Sequence, residues 1–168
     1  TDEFELFVDL NPGPADGRPN VGENGVLLDG DLYFSATDDT NGGEELYKFQ
    51  ASDDTIVLVA DVAPGPADGD PGELVVFDGR LFFEAEVGGT DEEPFVYDPV
   101  NDVVTQISTN SHPAGDDSNI TEMFVFDGNL YANMETNGLG RELFKFNDAT
   151  DEFELFVDLN PGDRKSGA

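Results

Sequence analysis

Asp38, Asp39, Asn41 and Glu44 crowd into one short stretch, with Gly42 and Gly43 between them allowing a tight backbone. Calcium takes about six to eight oxygens from carboxylates and carbonyls, so these four are the metal candidates of the sequence. The spacing D-x-[DN]-x-[DN]-G of a calcium-binding loop is not met. The corresponding stretch TNGLGR at 136–141 carries no acid. A solvated loop is the plainer reading and a calcium site the sharper one.

A second set lies one loop further on. Asp9, Asp61 and Asp158 hold matching positions, as do Asp16 and Asp68 in two copies of PGPADG. If these loops gather at one end of the molecule, their carboxylates line a mouth. Asp is also an ordinary turn former, because its side chain bonds the backbone two residues on. Asn110 stands at this place in the degraded copy. His112 is the single histidine; Ser108 and Ser111 are near it, but no nucleophile elbow accompanies them. No pair of carboxylates stands out for glycoside hydrolysis. Neither Gly-rich phosphate motif is present. Asn119-Ile120-Thr121 is a glycosylation acceptor only in a glycosylating host.

The elements that must position these groups are repeats. LLDGDLYF at 27–34, VFDGRLFF at 76–83 and VFDGNLYA at 125–132 recur every 49 residues. EELYKF at 44–49, EPFVYD at 93–98 and RELFKF at 141–146 follow them. The third anchor is ELFVDLNPG at 5–13, VLVADVAPG at 57–65, TQISTNSHPAG at 105–115, and ELFVDLNPG again at 154–162. Residues 1–13 and 150–162 are identical, TDEFELFVDLNPG. The chain thus divides into a duplicated strand at 1–13, repeats at 21–63, 72–109 and 119–162, and a tail at 163–168, all within a single repeat domain.

Asp-Gly between apolar runs marks a two-residue hairpin, since a type I′ turn needs positive φ at both central residues. No stretch holds a 3.6-residue apolar period. Each repeat therefore reads as four antiparallel strands, and the fold class as all-β. Four strands in ~50 residues is the size of a β-propeller blade; a β-trefoil and a linear solenoid are the alternatives. Recurring aromatics at equivalent strand positions, among them Tyr33, Phe34, Tyr47, Phe82, Phe83 and Phe144, read as core between blades rather than a sugar-stacking platform. Three blades are half of a six-bladed ring, because each wedge must fill its share of the circle. That predicts a homodimer or a fragment of a longer array, and the duplicated strand adds assembly by strand exchange.

The segment LDGDLYFSATDDTNGGEELYKF at 28–49, followed by TIVLVADVAPG, resembles the ELWxxDGT-type repeats of bacterial secreted proteins over its whole length. The resemblance extends to all three repeats. It departs at the namesake Trp, where Tyr47, Phe95 and Phe144 stand; Pro94 replaces Leu, and the DGT is missing. The resemblance implies a propeller-like domain, exported and often part of a large surface protein, with no assigned catalytic residue.

Composition bounds the rest. Thirty-eight acids against seven bases give −31, a field that repels nucleic acid and anionic membrane. Acids spread along the whole chain read as a surface adapted to high salt. There is no Cys, hence no thiol chemistry and no disulfide framework. No signal peptide, transmembrane run or basic targeting segment is found, as expected equally of a mature secreted domain and of an excised piece. The sequence thus reads as a non-enzymatic scaffold or binding domain, extracellular or on the cell surface. A calcium- or glycan-binding module, an engineered propeller fragment and a propeller glycosidase or lyase are the alternatives.

Overall fold

The computed structural model describes residues 9–11, 16–22, 24–38, 43–88, 91–107, 118–136 and 140–158. The described residues are all-β and form three four-stranded antiparallel sheets, each a meander in sequence order. The first contains β1 (Val26–Leu28), β2 (Asp31–Thr37), β3 (Glu44–Gln50) and β4 (Thr55–Ala60). The second contains β5 (Gly72–Phe77), β6 (Arg80–Val87), β7 (Asp91–Asp98) and β8 (Val103–Gln106). The third contains β9 (Glu122–Phe126), β10 (Asn129–Thr136), β11 (Gly140–Asn147) and β12 (Glu152–Val157).

Backbone chemistry explains the repetition. Each first hairpin closes on Asp-Gly with positive φ at both residues: 52° and 92° at Asp29-Gly30, 48° and 72° at Asp78-Gly79, 47° and 69° at Asp127-Gly128. This is the type I′ geometry whose twist matches that of the paired strands. The turn before each fourth strand also ends on a left-handed Asp, namely Asp54, Asp102 and Asp151. Asp tolerates this region because its short side chain can bond locally.

The registers Phe34↔Tyr47, Phe83↔Phe95 and Ala132↔Phe144 make these three pairs equivalent. They place Tyr47, Phe95 and Phe144 at one repeat position. A bulge in the third and fourth strands recurs in the first and third sheets, leaving Val59 and Phe156 between paired neighbours.

Successive strand residues point to opposite faces, so a doublet such as Tyr33-Phe34 or Phe82-Phe83 serves both sides of its sheet. Tyr33, with Leu28 and Leu46, packs against Leu81, Phe83 and Tyr97 of the second sheet. Phe82, with Val96 and Ile107, packs against Leu130, Phe146 and Phe153 of the third. Each sheet thus has a trailing face, bearing Tyr33, Phe82 or Tyr131, and a leading face, bearing Phe34, Phe83 or Ala132. A trailing face meets the next leading face twice within the chain. The sheets approach each other along their first strands, β1 on β5 and β5 on β9.

Edge-on aromatic contacts fill the second joint. Phe82 and Phe146 lie 4.9 Å apart at 71°, and Phe146 and Phe153 5.4 Å apart at 66°. Arg80 closes its rim. Its guanidinium lies 5.2 Å from the Phe82 ring and 5.4 Å from that of Phe146. It reaches Asp151 at 2.9 Å and Asp148 at 3.4 Å in the third sheet. In the first joint Tyr33 and Tyr97 tilt together at 5.8 Å, and the Tyr97 hydroxyl donates to Asp102 at 2.9 Å. Burial pushes both tyrosine hydroxyls above their ordinary pKa, so they remain protonated donors.

Candidate functional site

A connecting segment crosses each joint and stitches two sheets with its backbone. The Gly69 N–H donates to the Glu44 carbonyl at 2.9 Å, and the Gly69 carbonyl accepts from the Glu86 N–H at 2.7 Å. Ser118 repeats this: its N–H donates to the Glu92 carbonyl at 3.1 Å and its carbonyl accepts from the Glu135 N–H at 2.9 Å. The next residues, Asp70 and Asn119, hold φ of 43° and 42°.

A carboxylate holds each stitch from the side. Glu45 is fully buried, and its Oε2 accepts the Val62 N–H at 2.8 Å. Gly69 lies so close that a Cβ there would come within 2.8 Å of that oxygen. Glu93, which faces Ala85 as Glu45 faces Ala36, accepts the Ser118 hydroxyl at 2.8 Å. Glu142 is the buried third member, facing Met134. These glutamates were not singled out from the sequence. The second acid of EELYKF reads as surface charge, and its recurrence across three repeats was the available signal.

Burial pushes the Glu45 carboxyl up to about 7. The N–H groups of Val62, Gly69 and Ala63 pull the other way, and the charge of Asp61 adds to the rise. A folded value above the unfolded one means that the folded chain binds the proton more tightly. Glu45 therefore contributes stability that is whole below the ordinary carboxylate range, 4.5, and lost as pH rises through about 7. Glu45→Gln keeps an acceptor for the Val62 N–H and removes the titration. Its melting temperature is expected to fall less steeply than the wild type's across this window. Parallel melting-temperature profiles for the two proteins would contradict the assignment.

Of the four calcium candidates the structure describes Asp38 and Glu44. Glu44 faces Thr37 across the hairpin, so Asp38, one residue on, belongs to the opposite face. Asp38 accepts the Tyr47 hydroxyl, and Glu44 accepts the Ser35 hydroxyl at 2.6 Å. Asp39 and Asn41 lie outside the described residues. Among the described residues, no three His, Cys, Asp or Glu side chains are grouped so as to hold a metal. Of the second set, Asp68 accepts the Glu44 N–H at 3.0 Å, which ties its loop to β3. Asp9 and Asp61 are exposed, and Asp16 contributes its carbonyl to Asn11 at 3.1 Å. Asp158 is half-buried after β12. His112, Ser108 and Ser111 lie outside the described residues. The sequon residue Asn119 donates to Glu135 at 3.4 Å beside the second stitch.

Among the described residues, two apolar faces have no sheet against them. On the first sheet, Leu10, Pro19, Leu32, Phe34, Phe49 and Ile56 line a groove of 380 Å³ on the leading face. On the third sheet the trailing face carries Phe124, Phe126, Tyr131 and Phe156. Phe124 stacks on Tyr131 at 5.6 Å, and Tyr131 meets Phe156 edge-on at 5.4 Å. Phe126 is 67% exposed, whereas Leu28, its counterpart in the first sheet, is 4% exposed. Phe126 and Phe156 are exposed beside the half-buried Phe124 and Tyr131.

The N-terminal segment already holds the receiving half of a joint. The Gly17 carbonyl accepts from the Thr37 N–H at 2.9 Å, as Gly69 does from Glu86 and Ser118 from Glu135. Arg18 follows with φ of 41°. The Asn20 N–H bonds the Ser35 carbonyl at 2.8 Å, as Thr121 bonds Asn133 at 3.1 Å. Leu10 packs against Phe34 and Tyr47.

Compared with known proteins, the chain matches no protein-family model and no curated protein.

Proposed function

We propose that this chain is a non-enzymatic β-propeller-type scaffold and binding domain, its three sheets being three of six blades, and that two copies close the ring. One observation carries this reading. The uncovered leading face of the first sheet and the uncovered trailing face of the third are the two halves of a joint that the chain makes twice internally. A second copy supplies both missing halves at once, through a two-fold axis. Propellers run from about four to eight blades, so six is an ordinary circle and three is not.

The acidic exterior suits a domain working in high salt, on or outside a cell, with loops at the ring ends free to bind other molecules. The resemblance to exported repeat proteins supports the same placement. The charge of −31 on each copy opposes association at low ionic strength, and salt shortens the reach of that repulsion. Sedimentation equilibrium in molar NaCl, at tens of micromolar protein, is expected to give twice the 18.1 kDa of the chain. A single-chain mass under those conditions would overturn the proposal.

A further inference from the structure

The ring reading, on which this inference rests, leaves open how firmly the joint between copies is held. We propose that the rim residue at the start of each second strand sets that strength, and that Asn129 makes the joint between copies the one built to open, leaving Asp54 of the second copy as an acceptor without a clamp.

Asp31, Arg80 and Asn129 hold one place in the three sheets. Each follows an Asp-Gly turn and pairs with Leu28, Phe77 or Phe126. Asp54, Asp102 and Asp151 hold another, the left-handed end of the turn before each fourth strand. At each internal joint the first place on one sheet meets the second place on the next. In the second joint Arg80 reaches Asp151 at 2.9 Å. In the first, Asp31 and Asp102 both lie near enough to the Tyr33 hydroxyl to raise its pKa. A ring repeats this meeting between copies, with Asn129 of one opposite Asp54 of the other.

The three rims differ in chemistry. In the first joint the Tyr33 and Tyr97 hydroxyls share a hydrogen bond, and that of Tyr97 donates to Asp102 at 2.9 Å. In the second, the Arg80 guanidinium lies over Phe82 and Phe146 and holds two carboxylates. The joint between copies has neither device. Asn129 spends its amide within its own hairpin, donating to the Asp127 carbonyl at 2.8 Å. Tyr131 brings a hydroxyl to the place of Tyr33, but Phe49 stands where Tyr97 would receive it. Lys145, on the same face, stands opposite Glu154 of its own sheet. Asp54 is exposed, and Ala51 replaces the second carboxylate, that of Asp148. The joint between copies therefore keeps the apolar contact and lacks the clamp. Such a pair opens and closes with concentration and salt while the internal joints stay shut.

Restoring the clamp in the full-length protein is the test. Asn129→Arg copies Arg80, placing a guanidinium over Tyr131 of its own sheet and Phe49 of the second copy, within reach of Asp54. A clamp of this kind is worth roughly threefold to tenfold in affinity and a two-fold ring contains two, so sedimentation equilibrium in molar NaCl is expected to show a two-chain dissociation constant lowered roughly ten- to hundredfold. Adding Asp54→Asn should return it most of the way to the wild-type value, although that change removes a further negative charge from each copy. A wild-type pair that Asn129→Arg fails to tighten, or a gain that survives Asp54→Asn, overturns the clamp and leaves the ring standing. Single-chain masses for all three proteins remove the ring and the clamp together. Arg80→Asn, the converse change, tests the rim without a second copy. Its urea midpoint is expected to fall, and an unchanged midpoint would overturn the role given to this position.

Discussion

Phe82→Ala is expected to cost about 3–5 kcal/mol of folding stability, a large share of the ~5–15 kcal/mol a domain possesses. Phe82 is fully buried at the centre of the second joint, between Phe77 at 6.1 Å and Phe146 at 4.9 Å. Its removal leaves a cavity that neighbours on two different sheets cannot close together. Tyr131 occupies the same place one repeat later, on a face that no further sheet covers among the described residues. Tyr131→Ala is therefore expected to cost only about 1–2 kcal/mol, the worth of its ring contacts with Phe124 and Phe156. Urea unfolding at low protein concentration, where copies are apart, compares the two. Equal losses would mean that the faces are not staged as described.

Phe126→Asp is expected to abolish association while leaving the fold nearly unchanged, because its side chain is already exposed. In the assembled ring it would be covered as Leu28 is, and a carboxylate buried there without a partner costs several kcal/mol. Self-association should weaken by at least roughly a hundredfold, taking a central apolar contact at about 2–4 kcal/mol. Phe49→Asp, on the leading face of the first sheet, should act alike from the other side of the joint. The mixture is the more telling experiment. Each variant keeps the half that the other has lost, so equimolar Phe126→Asp and Phe49→Asp are expected to form a two-chain species through one intact joint. Such complementation is the signature of a contact between two different faces. If each variant still forms homodimers, or if mixing yields only single chains, the pairing of faces is wrong.

Much of this architecture is legible in the sequence, for physical reasons that can be named. Asp-Gly at 29–30, 78–79 and 127–128 declares its turn because few other residue pairs tolerate that backbone. The doublet Phe82-Phe83 declares a sheet covered on both faces. Tyr33-Phe34 and Leu130-Tyr131-Ala132 look the same, yet in each case one face has no covering sheet among the described residues. The left-handed residues Arg18, Asp70 and Asn119 share no residue type, so no pattern announces the stitches. The glutamates Glu45, Glu93 and Glu142 are hidden by their chemistry, since a charged side chain in so acidic a chain is presumed solvated. Of the calcium candidates, Asp39 and Asn41 lie outside the described residues. Asp38 and Glu44 are neighbours along the chain, but the alternation of strand residues sends them to opposite faces.

The proposed ring requires sheets stacked face to face about an axis that one chain only half encircles. Small-angle X-ray scattering in molar NaCl tests this most directly. The prediction is a two-chain particle with the distance distribution of a closed disc, unchanged in size over a tenfold rise in concentration. A rod that lengthens with concentration, or a single-chain particle throughout, would contradict it.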